Sequence, residues 1–410
     1  MNVRRMTKVA ALALAGTALL AACSGPAWDP SDQSSSVDPA KADEARQVVE
    51  KAMAEDNLRA VVLRITKDGK NVLTQAWGES MPGVPATTDM HFRDGAVAIS
   101  HVATVLLQLA DEGVVNLDDR LSQYLPDVNH ADEVTLEQLA SMTSGYRDYV
   151  REEEFIRAVY ADPWRVWTPE ELWTIATEKP LWFEPGTNWN YAHTNYLLLG
   201  KALEAASGTS MRDLIQQRIL DPLGMENTDD PGTPWMPEPV LHSYTSERHE
   251  ALEIPATVDF TEDATYWSPS WSITHGAIQY TNIFDVTRSA AAMGSGELLS
   301  PEMYALMTNR DQATIGGPVD GCPSCRRGTD AYTYGIGIIH KGDWLLQNPM
   351  FAGLAGTSGY LPQEGITISV FVTFEPEAFT ADNDWFPPNS SGPLFNELTK
   401  VMAPEHPAPS

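Results

Sequence analysis

Strand patterns lie near both ends of this 410-residue chain, and helical patterns fill the stretch between them. Near the start, RAVVLRITKDGKNVLTQAWG sets two apolar runs around Asp68-Gly69. An Asp-Gly pair between such runs predicts an antiparallel hairpin, because a tight two-residue turn needs residues that tolerate positive φ. Near the end, YGIGIIHKG, DWLLQ and GITISVFVTF are again strand-like. Two distant sets of strands satisfy their backbone groups most simply in one sheet. The sequence therefore predicts an α/β (α+β) fold: one antiparallel sheet flanked by terminal helices, with a mostly helical insertion.

The helices are read from apolar spacing near 3.6. Ala40 to Glu55 opens the domain and Pro393 to Met402 closes it. Between them come Ala96 to Glu112, Leu136 to Ser144, Pro169 to Thr177, Tyr196 to Ala206 and Met211 to Ile219. Pro231 to Trp271 has little periodicity and reads as an extended loop region. The domain is expected over residues 40–405, with its sheet part at about 40–94 and 275–405 and its helical part at about 95–274. A hydrophobic content of 43% supports a packed core.

The first residues read as a targeting segment. Arg4, Arg5 and Lys8 precede an apolar run, Val9 to Leu20, too short for a permanent membrane span. Leu20-Ala21-Ala22-Cys23 then resembles a bacterial lipobox. Residues 1–22 are expected to be a lipoprotein signal peptide and Cys23 the lipid anchor. The plainer alternative is a secretory signal with Cys23 as a bystander. Residues 23–39, rich in Ser, Pro, Asp and Gly, read as a flexible tether. The expected location is the extracytoplasmic face of the cell membrane.

Charge narrows the partners. The chain has 56 acidic and 27 basic residues, a net charge of −29. Such a surface repels phosphate backbones, so nucleic acid is not an expected partner. Membrane contact is expected through the lipid alone. Cys322 and Cys325, in GCPSCRRG, read outside the cytoplasm as a structural disulfide rather than a redox pair. No second ligand pair accompanies them, so no metal and no cofactor is expected.

Six stretches, in order, carry a family resemblance: LADEGVVNLDDRLSQYLPDV, TLEQLASMTSGYRDY, FEPGTNWNYAHTNYLLLG, DPLGMENT, GAIQYTNIFDVTR and GLAGTSGYLP. Together they resemble the serine β-lactamase, penicillin-binding protein and esterase family from about residue 55 to the last strands. The resemblance implies three catalytic clusters: Ser-x-x-Lys at a helix start, Tyr-x-Asn, and Lys/His-Thr/Ser-Gly on a strand. Here FRDGAVAISHV places Ala96 at the serine position and Ile99 at the lysine position. Tyr191 remains, with His193 in place of the asparagine. Leu354, Ala355 and Gly356 are matched to the third cluster, so only its glycine persists.

Alanine and isoleucine can neither form an acyl intermediate nor move a proton. The expectation is an extracytoplasmic pseudoenzyme with no catalytic residue. It would bind a cell-wall fragment or an envelope protein. The alternative is a hydrolase acting on β-lactams, D-Ala peptides or esters through a non-standard nucleophile. Ser100 is the nearby candidate, although a helical serine usually bonds the carbonyl four residues back. His193 is read as lining the pocket rather than as a base. The resemblance places the oxyanion hole at the backbone N–H groups of Ala96 and Thr357. Ile99 and Leu354 predict a cleft turned apolar. Trp235, Trp267 and Trp271 either border it or pack the long loop.

Overall fold

The computed structural model describes residues 35–310 and 315–410. Most of the targeting and tether segment, Cys23 included, lies outside the described residues. The end of the expected tether belongs to the domain. The Val37 N–H donates to the Asn71 carbonyl (3.1 Å), and Asp38 caps the Pro39–Glu55 helix by accepting from the Lys41 N–H.

The strands Leu58–Lys67 and Lys70–Met81 form the expected hairpin. Asp68 and Gly69 both have positive φ, 50° and 74°, as a primed two-residue turn requires. Leu58–Lys67 also pairs antiparallel with Ile366–Phe374, with Leu63 opposite Val370, which joins the two ends of the chain. The sheet continues through Leu354–Leu361, Trp344–Gln347, Ile339–Lys341 and Thr333–Tyr334. Val84–Pro85 borders the other edge, and Met350–Phe351 adds a short arm to Leu354–Leu361.

Both faces of the central strands are covered, which is why their apolar runs are nearly continuous. Val61, Leu63 and Ile65 share a core with Ala42, Ala45 and Val49 of the opening helix and with Leu394, Phe395 and Leu398 of the closing helix, Ser391–Met402. Ala60 and Val62 face the opposite way, against Ile283 and Phe284 of the Ile283–Ser295 helix. There the buried Arg64 guanidinium lies 4.8 Å from the Phe284 ring centre.

The Val97–Asp111 helix joins this sheet to the helical region. Twelve of its fifteen residues are buried. A helix buried on nearly every side fits a core position rather than a surface one. Gly113, at φ 72°, follows its end. The loop region contains one small strand pair, Tyr244–Thr245 with Glu262–Asp263, which the sequence pattern did not announce. Among the described residues no helix is long and apolar enough to cross a membrane.

Gly337 shows how tightly the sheet closes on this helix. Its φ is 65°, and a Cβ there would collide with Ala103 and approach the Ile99 carbonyl to 3.1 Å. Gly337→Ala is expected to lower the unfolding free energy by about 2–4 kcal/mol, summing left-handed strain and overpacking. Urea denaturation with matched slopes checks this, and an unchanged midpoint would refute the packing account.

Candidate functional site

A cavity of about 380 Å³ opens at the start of the Val97–Asp111 helix. Ala96 and Ile99 form its helical wall. Gly95 makes that wall possible. It has φ 51°, and a Cβ on it would stand 2.7 Å from the Pro349 Cβ. The first turn is tight, with Val97, Ala98 and Ile99 N–H groups returning to the carbonyls of Asp94, Gly95 and Ala96. The Ala96 N–H takes no part in those bonds.

The second wall is the segment entering the His193–Ser207 helix, here Tyr191 and His193. Asp148 holds His193 in two ways. It accepts from the His193 backbone N–H at 3.1 Å, and its carboxylate oxygens lie 3.2 and 3.3 Å from ring Nδ1. That leaves Nε2 as the ring nitrogen available for other contacts. The Tyr191 ring meets His193 edge-on, with centres 5.5 Å apart. Burial pushes the Tyr191 phenol well up, so it stays protonated at neutral pH.

The third wall departs from the sequence reading. Asn348 and Met350 line the cavity; Leu354, Ala355, Gly356 and Thr357 do not. Leu354 packs with Phe92, Val97 and Phe371 away from the cavity, and Ala355 is fully buried. Gly356 donates its N–H to the Pro349 carbonyl and lies against Phe371. The Thr357 hydroxyl bonds Ser391 at 2.8 Å. The cause is a hairpin. Met350-Phe351 and Leu354-Ala355 pair with each other, and the glycine-rich match falls on its return arm. On the outgoing side Asn348 and Met350 line the cavity, and Pro349 lies against Gly95. The pairing also bears on the oxyanion hole. With Gly356 bonded to Pro349, Met350 occupies the position whose N–H points away from its partner strand. Thr357 does not line the cavity that Ala96 borders, and Met350 does.

Ser100 is buried and points elsewhere. It donates to the Gly337 carbonyl at 2.6 Å, not to the carbonyl four residues back, and accepts from the Gln347 amide at 3.1 Å. Two other serines do line the cavity, Ser272 and Ser324. Ser324 bonds the Asn190 side chain. Neither hydroxyl bonds a histidine or lysine among the described residues, and no lysine lines the cavity.

The cysteine loop forms the fourth wall, a role the sequence did not disclose. Cys322 and Cys325 are bonded to each other, and Cys325 faces the cavity. Asn188 exchanges two 3.0 Å hydrogen bonds with Gly317, and Asn190 holds Ser324. The loop is thereby fastened just ahead of Tyr191. It presents Arg326, whose guanidinium lies over Tyr332 at 4.1 Å and Trp189 at 5.2 Å. Burial pushes the Tyr332 phenol up to about 12, with Arg326 pulling the other way. Arg151, at the end of the short 3₁₀ turn Tyr149–Arg151 that Asp148 caps, is a second cation at the rim. Of the three tryptophans, Trp271 lines the cavity, Trp267 packs in a small core, and Trp235 is exposed beside Tyr280. Among the described residues no three His, Cys, Asp or Glu side chains gather as a metal site.

A buried helix tip facing a strand of an antiparallel sheet, with a tyrosine segment closing the gap, defines the architecture of the serine β-lactamases and penicillin-binding proteins. The chain belongs to this family: the Beta-lactamase family model matches residues 45–386. Its relatives are serine hydrolases. It is 26% identical over 282 residues to a D-aminopeptidase of Cereibacter sphaeroides, covering 68% of this chain and 49% of that one. It is also 26% identical over 348 residues to Esterase EstB of Burkholderia gladioli, covering 78% and 83%. The chain spans only about half the length of that D-aminopeptidase. Among solved structures, the D-amino acid amidase from Ochrobactrum anthropi SV3 complexed with L-phenylalanine amide superposes with a TM-score of 0.72. It is 19% identical, and the match covers 89% of this chain and 99% of that one.

One buried group on the site helix sets a pH dependence. His101 is buried, with Nε2 2.7 Å from the Ser289 hydroxyl. Burial lowers it from 6.5 to about 4, with Gln279 opposing. Below pH 6.5 the unfolded chain takes up a proton that the folded chain refuses until about 4. The stability this group contributes is therefore complete above 6.5 and lost as pH falls to 4. Between pH 7 and 4 the native protein is expected to lose about 3 kcal/mol more than His101→Gln. Urea titrations of both proteins measure the gap, and parallel pH curves would exclude it.

Proposed function

We propose that this chain is a non-acylating member of the β-lactamase family that acts by binding a ligand in the cavity at Ala96. The observation that carries the reading is what the helix offers there: a methyl group at Ala96 and an aliphatic side chain at Ile99. Loss of a serine hydrolase's nucleophile or of its base costs about 10⁶ in turnover. Here both nucleophile and cation positions are altered. The shape of the site persists, and a backbone-lined notch accepts negative charge whatever the side chains are.

In this reading residues 1–22 are removed, Cys23 carries a lipid, and residues 40–405 stand as one domain at the outer face of the cell membrane. The ligand is a cell-wall fragment or a segment of an envelope protein. A competing reading keeps hydrolysis. It draws on His193, which Asp148 orients at 3.2 Å, and on the hydrolytic names of the relatives. Among the described residues no hydroxyl bonds that histidine.

Incubation with a fluorescent β-lactam and with a fluorophosphonate probe separates the two. The native protein is expected to stay unlabelled. Covalent label that disappears in Ser272→Ala or Ser100→Ala would overturn the non-acylating reading. Muropeptides in excess should raise the melting temperature by several degrees, since a ligand selective for the native state stabilises it. In cells, Cys23→Ala should move the protein from the membrane fraction to the soluble one, and an unchanged distribution would remove the anchor.

A further inference from the structure

We propose that this cavity selects an anion, a small carboxylate attached to an aromatic or other apolar body, and that Arg326 and Arg151 receive its charge. The inference rests on the ligand-binding reading and gives that ligand a chemical class. It starts from a contrast. Acidic residues outnumber basic ones by 56 to 27 in the whole chain. The described residues that line the cavity include two arginines and a histidine, and no aspartate or glutamate. A cationic lining inside so acidic a protein has no role in solubility. It makes a local positive potential where field lines concentrate.

The two arginines are held differently. Arg326 is exposed, has no ion pair among the described residues, and lies across the Tyr332 and Trp189 rings. Aromatic faces fix a guanidinium by cation–π contact, and the Tyr332 hydroxyl engages part of its N–H edge without cancelling its charge. That edge matches the two oxygens of a carboxylate. Arg151 has its Nε 3.8 Å from an Asp148 oxygen and a side chain 54% exposed. Asp148 is shared with His193, so it compensates Arg151 only in part. Asp148 itself is 4% exposed, so it gives an incoming ammonium no accessible partner. A ligand with a free amine would meet like charge and bare rings.

The remaining surface suits an apolar body. Trp189, Tyr191, Trp271 and Tyr332 bring ring faces or edges, and Ile99 and Met350 bring aliphatic surface. A volume of about 380 Å³ lies at the lower end of the range for small-molecule sites, so the ligand is small.

Isothermal titration of the full domain with N-benzoylalanine and with its uncharged carboxamide tests the proposal. The acid is expected to bind at least tenfold tighter than the amide, the effect of one charge-assisted pair. Arg326→Gln should erase that preference, and Arg326→Lys should retain part of it, since it keeps charge without the fork. Arg326 is exposed, so an unchanged melting curve shows each variant folded. Equal affinity for acid and amide, binding of neither, or an acid preference untouched in Arg326→Gln overturns the proposal. Chromatography of the recovered ligand keeps the two readings apart. Cleavage of the amide sinks the non-catalytic reading and leaves the anion preference standing; equal binding without cleavage does the reverse.

Discussion

The burial of the Val97–Asp111 helix between sheet and helical region is the constraint on which the rest depends. Its residues touch both halves, so neither half can move without opening the core. Two glycines let it sit so close, Gly95 against Pro349 and Gly337 against Ala103. The cavity is a result of this geometry. The helix tip ends short of the strand, and the gap is closed by the Tyr191–His193 segment and the cysteine loop.

The frame was legible because it obeys simple periodicities. The Asp68-Gly69 turn, the apolar runs of Leu58–Lys67 and Ile366–Phe374, and the dense apolar pattern from Val97 each follow from local chemistry. That Ala96, Ile99, Tyr191 and His193 meet at one cavity was legible too, since they lie on elements with unbroken spacing to quoted motifs. The third wall was not. A glycine-rich hairpin offers two arms to one motif, and the count settled on Leu354–Gly356 where Asn348 and Met350 line the site. Sequence spacing does not say which arm turns inward; strand pairing does.

Arg151 and Arg326 were illegible for another reason. Each belongs to a short irregular segment, the Tyr149–Arg151 turn or the cysteine loop, brought to the cavity by contacts far apart in sequence, Asp148 with His193 and Asn190 with Ser324. Their effect is electrostatic and local. A net charge of −29 describes the surface, and the cavity departs from it. The expectation of an apolar cleft holds only in part: Ile99 and four aromatic rings line the cavity, and two arginines join them. Leu354 lies elsewhere, and the polar and cationic groups come from loops.

The small covalent ring formed by Cys322 and Cys325 acts differently from a long cross-link. Spanning so few residues, it restricts the unfolded chain less than a wide loop closure does. Its effect falls on the neighbouring backbone, which is already committed to one shape when the chain has folded. A visitor to the cavity therefore finds the guanidinium of Arg326 waiting, and the disorder lost in bringing it there belongs to folding and not to the encounter.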